Sequence, residues 1–257
     1  MDFKLNTVDI LDIPIFNGDE NEFIDHIVST SRSKFSRCIS ASGGHGLIFS
    51  KENPFFKDIL KGFYLNLPDG MPLVWIGKLK GAKKIKRCYG PDIFKNIIRM
   101  SVGKDIRHFL CGGKPGIAEK LQNTCEDQFG NIKICGTYSP PFKDLTEEEI
   151  QDVAKLIDFK QTDILWIGLG TPKQEIFANR ISKYLQCGYI ITVGAAFDFH
   201  TGSIKQAPKI LQQSGLEWFF RLIMEPKRLW KRYLNIVPKF LSYSLVDLIT
   251  SKWNQKK

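Results

Sequence analysis

Hydrophobic residues fall into short runs that alternate with longer segments in which apolar positions recur at helical spacing. Short apolar runs bounded by small residues are typical of buried strands, and the longer periodic segments are typical of amphipathic helices. Strand, glycine-rich loop and helix in repeated alternation indicate an α/β domain with a parallel sheet flanked by helices. We predict strands at residues 37–42, 62–67, 106–111, 132–136, 163–170 and 189–196.

Helix boundaries are marked by residues that cap or interrupt a helix. Thr146 and Glu149 have the spacing of a capping box, which starts a helix. Pro91 suits the first turn of another helix, and the Asn53-Pro54 pair predicts a break. Helices are therefore predicted at residues 45–60 (broken near 53), 91–102, 115–129, 146–159 and from 172 onward.

Small and polar residues collect where the predicted strands end. In open α/β sheets the ligand site lies outside the carboxyl ends of the strands, so these segments predict a common site. They contain the candidate residues Ser40, Ser42, Asp69, Gly112, Gly113, Gly168, Gly170, Gln174 and Asp198.

The turn from Gly168 to Gln174 separates a buried strand from a helix. A glycine-rich turn at a helix N-terminus lets backbone N–H groups approach a phosphate. The spacing is neither that of a dinucleotide fingerprint nor that of a P-loop, so a simple turn is an equally open interpretation. The Gln174 side-chain amide could bind a sugar hydroxyl or a base edge, or it could be an ordinary helix-surface residue.

Three charged residues are further candidates, and Arg87 among them stands just before the helix predicted to begin at Pro91. Asp69 lies in a tight turn, where a carboxylate either bonds its own backbone or acts as a general base. Arg87 could hold a diphosphate through paired hydrogen bonds, or it could be one more solvated cation. Asp198 could cap its loop or touch a sugar. His200 has no ligand partner at metal-binding spacing, so no metal site is predicted.

Composition adds two constraints. An apolar fraction of 43% and a charged fraction of 25% are ordinary for a globular protein. The six cysteines are scattered and form no CxxC pair, which favours reduced, packed thiols in the cytoplasm. The first residues carry acids and no long apolar run, which is unlike a signal peptide, and no apolar stretch is long enough to predict a spanning helix.

The formal charge of +10 is concentrated in two segments. Residues 221–257 carry nine Lys or Arg and two acids, and residues 75–90 carry six Lys or Arg and no acid. The remainder of the chain is slightly acidic. Such patches suit an anionic membrane, nucleic acid or a phosphate-bearing substrate.

The chain becomes basic and aromatic near Leu216, which divides a core at residues 1–215 from an appendage at 216–257. Aromatic residues mixed with cations are typical of an interfacial helix, so we expect the appendage to meet an anionic membrane surface. The alternative is a helix that packs its apolar face on its own domain.

Six segments of this sequence resemble motifs of the WecG/TagA/CpsF family of bacterial glycosyltransferases. The similarity covers roughly residues 8–235, and the number and order of the segments carry it. They are LPDGMPLVW, RCYGPDIF, FLCGGKPGIAEKL, ILWIGLGTPKQE, VGAAFDFHTGSIKQAPKILQQSGLEWFFRL and EPKRLWKRY.

The resemblance implies a Rossmann-like core of the GT-E type and an inverting transfer, without metal or cofactor, from a UDP-sugar to an undecaprenyl-diphosphate-linked sugar. It implies a peripheral position on the cytoplasmic face of the membrane, in synthesis of cell-surface polysaccharide. By the same resemblance Asp69 is the base, Arg87 contacts the donor diphosphate and Gln174 lines the donor pocket. Tail arginines would complete the site, here Arg221, Arg228 and Arg232.

One departure from the family pattern concerns the first predicted strand end. Many members carry a T-x-N motif there, whereas this chain has Ser40 and Ser42 and no asparagine. The change bears on the preference for donor or acceptor sugar. The competing functions are a basic nucleic-acid-binding protein, disfavoured because the candidate residues follow strand ends, and a non-catalytic membrane tether. Homo-oligomerisation is left open.

Overall fold

The structure, a computed structural model, describes residues 6–254. Its centre is an eight-stranded sheet in the order β1-β2-β4-β3-β8-β7-β5-β6. All neighbouring strands are parallel except β1 and β2, which form an antiparallel hairpin at one edge. The strands are β1 (Thr7–Ile10), β2 (Ile13–Phe16), β3 (Arg37–Ser42), β4 (Leu65–Pro68), β5 (His108–Gly112), β6 (Ile134–Tyr138), β7 (Ile164–Gly168) and β8 (Tyr189–Thr192).

Helices cover both faces of the sheet, so the predicted α/β class is confirmed. They are α1 (Glu20–Thr30), α2 (Gly44–Glu52), α3 (Pro54–Gly62), α4 (Met71–Leu79), α5 (Gly90–Met100), α6 (Ile117–Asp127), α7 (Glu147–Phe159), α8 (Lys173–Ile181), α9 (Ala196–His200), α10 (Lys209–Gln213), α11 (Glu217–Met224) and α12 (Pro226–Asn254).

The central strands supply side chains to two cores because successive residues point to opposite faces of a sheet. In β7, Trp166 packs with α5 and α9 on one face through Phe94 and Phe197. Its neighbours Leu165 and Ile167 pack with α7 and α8 on the other face. Burial on both faces explains why these strands read as continuous apolar runs rather than alternating ones.

Local signals place the predicted helices well. The Thr146 hydroxyl accepts from the Glu149 N–H, and the Glu149 carboxylate accepts from the Thr146 N–H, which confirms the capping box. Asn53 separates α2 from α3, and its side chain accepts from the Phe56 N–H at 3.0 Å. The predicted helix at 45–60 is thus two helices, as the Asn53-Pro54 pair indicated.

The sequence prediction misses the β1–β2 hairpin, α1, α4 and the two short helices α9 and α10. The two-residue hairpin turn places Leu11 and Asp12 at φ 53° and 67°, a conformation that glycine or asparagine usually supplies. Several strand bounds also shift by about two residues. The predicted strand at 62–67 begins at Leu65 because α3 extends to Gly62.

The C-terminal helices pack one side of their surface on the core. Ile236 and Phe240 of α12 are buried in the cluster formed by the hairpin, α2, α3 and α4. Asp247 accepts from the Leu11 N–H at 3.0 Å and from the Lys80 ammonium at 2.8 Å. The appendage is therefore helical and attached to the core. None of the helices described is long and apolar enough to cross a bilayer.

Candidate active site

The carboxyl ends of the central strands lie at one edge of the sheet. Ser42 of β3 is in register with Pro68 of β4, and Gly112 of β5 is in register with Gly168 of β7. Every predicted candidate loop therefore opens on the same side. The appendage lies at this edge as well. Arg87 donates both to Glu217 of α11 and to the Asp69 carbonyl oxygen in the turn after β4.

Two of the candidate glycines are required by the backbone, Gly112 by close packing and Gly170 by a left-handed turn. Gly112 has a φ of 138°, and a Cβ there would lie 2.6 Å from the Gly168 carbonyl oxygen. The Gly113 N–H donates to the same oxygen at 3.0 Å. A side chain at Gly112 would force β5 and β7 apart at the site edge. Gly170 adopts a φ of 76°, which ends β7 in a tight turn.

Asp69 occupies the turn between β4 and α4. Its Oδ1 accepts from the Gly90 N–H at 2.8 Å, which ties the turn to the first residue of α5. Burial raises the pKa of the Asp69 carboxyl to about 6, although the positive charge of Arg87 opposes this shift. A carboxyl with that pKa is ionised at neutral pH yet more basic than an ordinary aspartate, as suits a general base.

Arg87 lies beside Asp69 and is held by three oxygen atoms. Its Nε donates to the Asp69 carbonyl oxygen at 2.5 Å, and its Nη2 donates to Glu217 Oε2 at 2.5 Å. A longer contact of 3.4 Å joins Nη1 to the Gln212 carbonyl oxygen. The guanidinium also lies 4.0 Å from the centre of the Tyr89 ring. Arg87 thus connects the Asp69 turn to the appendage.

Gln174 is buried at the start of α8 and joins two loops. Its Oε1 accepts from the Gly170 N–H at 3.2 Å and from the Gly194 N–H at 3.0 Å. Its Nε2 donates to Glu175 Oε1 at 2.8 Å. The side chain is therefore engaged with the protein on both ends of its amide, and it is not the ordinary surface residue that was one interpretation of the sequence.

Ser40 and Ser42 lie inside the sheet edge rather than on an open surface. The Ser42 hydroxyl donates to the Ser40 hydroxyl at 3.1 Å, and Ser40 donates to Glu175 Oε1 at 3.1 Å. Thr171 donates to the same carboxylate oxygen at 3.0 Å. Burial raises the pKa of the Glu175 carboxyl, and the hydrogen bonds from Gln174, Thr171 and Ser40 oppose this shift.

Asp198 is half-buried in α9 and faces cations. Burial raises the pKa of its carboxyl, while the charges of Arg228, Lys114 and Arg221 oppose this shift. These interactions bring the loop after β8 together with the appendage. His200, in the same helix, has its Nε2 2.8 Å from the Pro91 carbonyl oxygen, so this ring joins α9 to α5.

The three tail arginines form a positive cluster beside the strand ends. Arg221 lies 5.8 Å from the ring centre of Phe199. Its positive charge lowers the pKa of the Asp69 carboxyl and so opposes the effect of burial. Burial lowers the pKa of the Arg232 guanidinium, and the nearby charges of Arg221 and Arg228 lower it further. Arg228 also forms an ion pair with Glu225. Crowded like charges of this kind favour an anionic ligand.

His45 lies under this cluster at the first turn of α2. Burial lowers the pKa of its imidazole to about 4, and the charge of Arg232 adds to the effect. The ring is therefore neutral at physiological pH. Among residues 6–251, whose side chains are described, no group of three or more His, Cys, Asp or Glu side chains could hold a metal ion.

Sequence reasoning missed two carboxylates, Glu217 and Glu175. Both lie within the quoted motifs, but neither stands out by spacing, because an acid at the start of a helix is common. Only their partners distinguish them. Glu217 bonds a residue 130 positions away, and Glu175 bonds one 135 positions away.

The fold and the site define an α/β protein with a buried carboxyl and several cations at the carboxyl edge of a parallel sheet, where a C-terminal helical tail forms part of the site. The model of the glycosyl transferase WecG/TagA/CpsF family matches residues 8–254. The chain belongs to this family and is a glycosyltransferase of the hexosyltransferase class.

Two bacterial relatives are similar over almost their whole length. One, from Bacillus subtilis strain 168, is 31% identical over 241 residues, which is 92% of this chain and 90% of the relative. The other, from Bacillus spizizenii strain W23, is 28% identical over 241 residues, which is 93% of this chain and 90% of the relative. Both are named N-acetylglucosaminyldiphosphoundecaprenol N-acetyl-beta-D-mannosaminyltransferase.

Proposed function

We propose that this enzyme transfers an N-acetylated hexosamine from a UDP-sugar to a sugar linked to undecaprenyl diphosphate, with inversion and without a metal ion. The product would be an intermediate of a cell-surface polysaccharide. The names of the two relatives support the acceptor class. The observation that carries the proposal is the Asp69 carboxyl, held at the sheet edge near Arg87 and Arg221 with its pKa raised to about 6.

Asp69 serves as the general base in this reaction. The acceptor hydroxyl attacks the anomeric carbon from the face opposite UDP, and the hydroxyl proton passes to the Asp69 carboxylate. Proton transfer to a positioned base contributes roughly 10²–10⁴ to a rate. The bond from the Gly90 N–H fixes one carboxylate oxygen, so the other is the one that faces the acceptor.

The leaving UDP gains negative charge as the sugar–phosphate bond breaks. Arg87 and the tail arginines Arg221, Arg228 and Arg232 are the cations that stabilise this charge in our proposal. Backbone N–H groups at the Gly112 and Gly168 turns add donors at the same edge. Preorganised charge and dipoles of this kind are effective because they need no reorganisation during the reaction.

The exposed side of the tail fits a membrane surface. Trp230, Leu234, Leu241, Leu245 and Ile249 of α12 are all exposed, and their spacing places them on one stripe of the helix. The cations Lys227 and Lys231 lie on the same helix. Apolar contact plus attraction to anionic lipid, about 1 kcal/mol for each basic residue, would hold the enzyme peripherally on the inner face of the membrane.

Product analysis tests this function. The full-length protein is incubated with membranes or vesicles that contain N-acetylglucosaminyl-diphosphoundecaprenol and with a panel of UDP-sugars, and the lipid products are identified by mass. Transfer of one N-acetylhexosamine, unchanged by EDTA, is expected. Absence of transfer from every UDP-sugar would contradict the donor class, and loss of transfer in EDTA would contradict metal independence.

A further inference from the structure

Glu217, the first residue of α11, links the appendage to core residues beside the Asp69 turn. Its Oε2 accepts from Arg87 at 2.5 Å, and its Oε1 accepts from the Tyr89 hydroxyl at 3.0 Å. The side chains of Arg87 and Glu217 are 15% and 17% exposed, so water screens this ion pair only weakly. Both carboxylate oxygens are therefore engaged by residues of the core.

Arg87 links Glu217 to the Asp69 turn. Its Nε donates to the Asp69 carbonyl oxygen, and residues that follow Arg87 form further hydrogen bonds with the turn. The Cys88 N–H donates to the Pro68 carbonyl oxygen at 2.9 Å, and the Gly90 N–H donates to Asp69 Oδ1 at 2.8 Å. The segment from Arg87 to Gly90 is thus bonded to the Asp69 turn at three points, and Glu217 fixes its first residue.

Three of the five guanidinium N–H groups of Arg87 are used within the described part of the protein, by Asp69, Gln212 and Glu217. Two N–H groups are left for a ligand. Removal of Glu217 would leave a weakly hydrated cation without its counter-charge, and Arg87 would then be free to change its rotamer.

We propose that Glu217 is a positioning residue for the transfer reaction: its carboxylate fixes Arg87 against the Asp69 turn and thereby couples the position of the tail to the base. This inference rests on the proposed function, because it assumes that Asp69 is the base. It assigns no contact between Glu217 and the substrates.

The coupling has an electrostatic consequence that a purely structural contact would lack. The charged groups that face the Asp69 carboxyl are Arg87 on the loop before α5 and Glu217 and Arg221 on α11, and the neutral Cys88 and Tyr89 side chains lie nearby. The negative charge of Glu217 raises the pKa of Asp69, and the positive charge of Arg87 lowers it. Neutralising Glu217 removes the smaller of these two effects, whereas release of Arg87 removes the larger one, so the release raises the pKa of Asp69.

The test is Glu217→Gln in the full-length enzyme, assayed over a pH series with the lipid-linked acceptor. We expect kcat to fall by up to about 100-fold because the base is misplaced. The acidic limb of kcat/KM is expected to move to higher pH, because release of Arg87 outweighs the lost charge of Glu217. Glu147→Gln is the matched control, because Glu147 also accepts from an arginine and a tyrosine, Arg180 at 2.8 Å and Tyr184 at 2.7 Å, far from the site.

A second variant and a double mutant separate positioning from folding. Tyr89→Phe removes one bond to Glu217 without changing charge, and it is expected to lower kcat less and to leave the acidic limb in place. In an Arg87→Lys background, Glu217→Gln should cause little further loss if the two residues act as a unit.

Three outcomes would overturn the inference. They are a Glu217→Gln enzyme with wild-type kcat and an unmoved acidic limb, a loss of thermal stability beyond that of Glu147→Gln with kcat unchanged, or strict additivity with Arg87→Lys. Failure of the proposed function is distinguishable, because the wild-type enzyme would then transfer no sugar in the same assay.

Discussion

The fold buries the ionisable carboxyl of Asp69, and burial disfavours its charged form. The unfolded chain solvates this carboxylate fully, whereas burial in the folded protein raises its pKa from 3.8 to about 6. Because the folded state binds the proton more tightly, the Asp69 contribution to stability is lost as pH rises from about 4 to about 6. At neutral pH the ionised Asp69 carboxylate therefore reduces the free energy of unfolding.

The first prediction concerns Asp69→Asn. Asparagine can still accept from the Gly90 N–H but cannot take a proton, so transfer should fall by about 10²–10⁴. At pH 7.5 the variant should be more stable than the wild type by on the order of 1–3 kcal/mol, as measured by denaturant unfolding. The gain should disappear near pH 4. Asp152→Asn, an exposed change in α7, is the control, and equal stabilisation by both would contradict the burial argument.

The second prediction is a pH profile. If Asp69 is the base, kcat/KM should be constant above about pH 7 and fall tenfold for each pH unit well below 6, where the carboxyl is protonated. The His45 imidazole should not contribute to this limb, because its pKa is near 4. His45→Gln is therefore expected to leave the limb where it is, and a limb that moves with this variant would point to His45 instead.

The third prediction concerns Gln174, whose amide oxygen holds the N–H groups of Gly170 and Gly194. Gln174→Ala leaves two donors without this partner and should lower the free energy of unfolding by about 1–3 kcal/mol. The donor KM should rise because both loops border the proposed donor pocket. Gln174→Glu keeps the oxygen but puts a second carboxylate beside Glu175, so thermal denaturation should show a larger loss at pH 8 than at pH 5.

At the scale of single elements, α12 is two-sided. Ile236 and Phe240 face the core, and the stripe of exposed apolar residues faces away from it. The helix packs on its own domain with one side, as one of the two interpretations of the tail predicted, and its other side is exposed. The binding of that other side to lipid stays a prediction.

The fourth prediction tests the exposed stripe. The triple variant Trp230→Ser, Leu234→Ser and Leu245→Ser should bind anionic vesicles more weakly in a sedimentation assay, because it removes contact area for the acyl chains. Its thermal stability should change little, since the three side chains are exposed. Serine at Ile132 and Phe159, exposed on the core, is the control and should bind like the wild type. Unaltered binding of the triple variant would place the lipid contact elsewhere.

At the scale of the whole molecule, the core and the tail share both packing and the site. The tail supplies Glu217 and three arginines to the strand ends, and its buried side chains complete the apolar cluster under the hairpin. Removal of the tail therefore takes away the groups proposed to act in transfer and also exposes core surface.

The fifth prediction follows for a chain that ends after Gly215. It should show no transfer even to a water-soluble acceptor, because Glu217, Arg221, Arg228 and Arg232 are missing. Its melting temperature should fall because Leu47, Leu73 and Ile76 lose the contacts of α12. Full activity on the soluble acceptor would contradict a role of the tail in the transfer step and would leave membrane attachment as its role.

Structural features that depend only on neighbouring residues could be predicted from the sequence. The apolar runs of β7 and β8, the Thr146 capping box and the Asn53 break are written within a few positions, because side-chain periodicity and capping are local. The family motifs also marked Asp69, Arg87 and Gln174 in advance. Their catalytic roles stay predictions. The parallel topology brings Asp69 and Gln174 to one sheet edge, whereas Arg87, on the loop before α5, reaches Asp69 through a tertiary contact.

Structural features that depend on contacts between distant residues are visible only in the folded protein. The hairpin turn at Leu11 and Asp12 is held in a backbone conformation that its residues disfavour, because Leu11 is buried and its N–H bonds Asp247 from the far end of the chain. The pairing of Glu217 with Arg87 likewise exists only once α11 lies over the strand ends. Such contacts leave no pattern in the sequence, because the energy of an ion pair depends on the burial and geometry that folding creates.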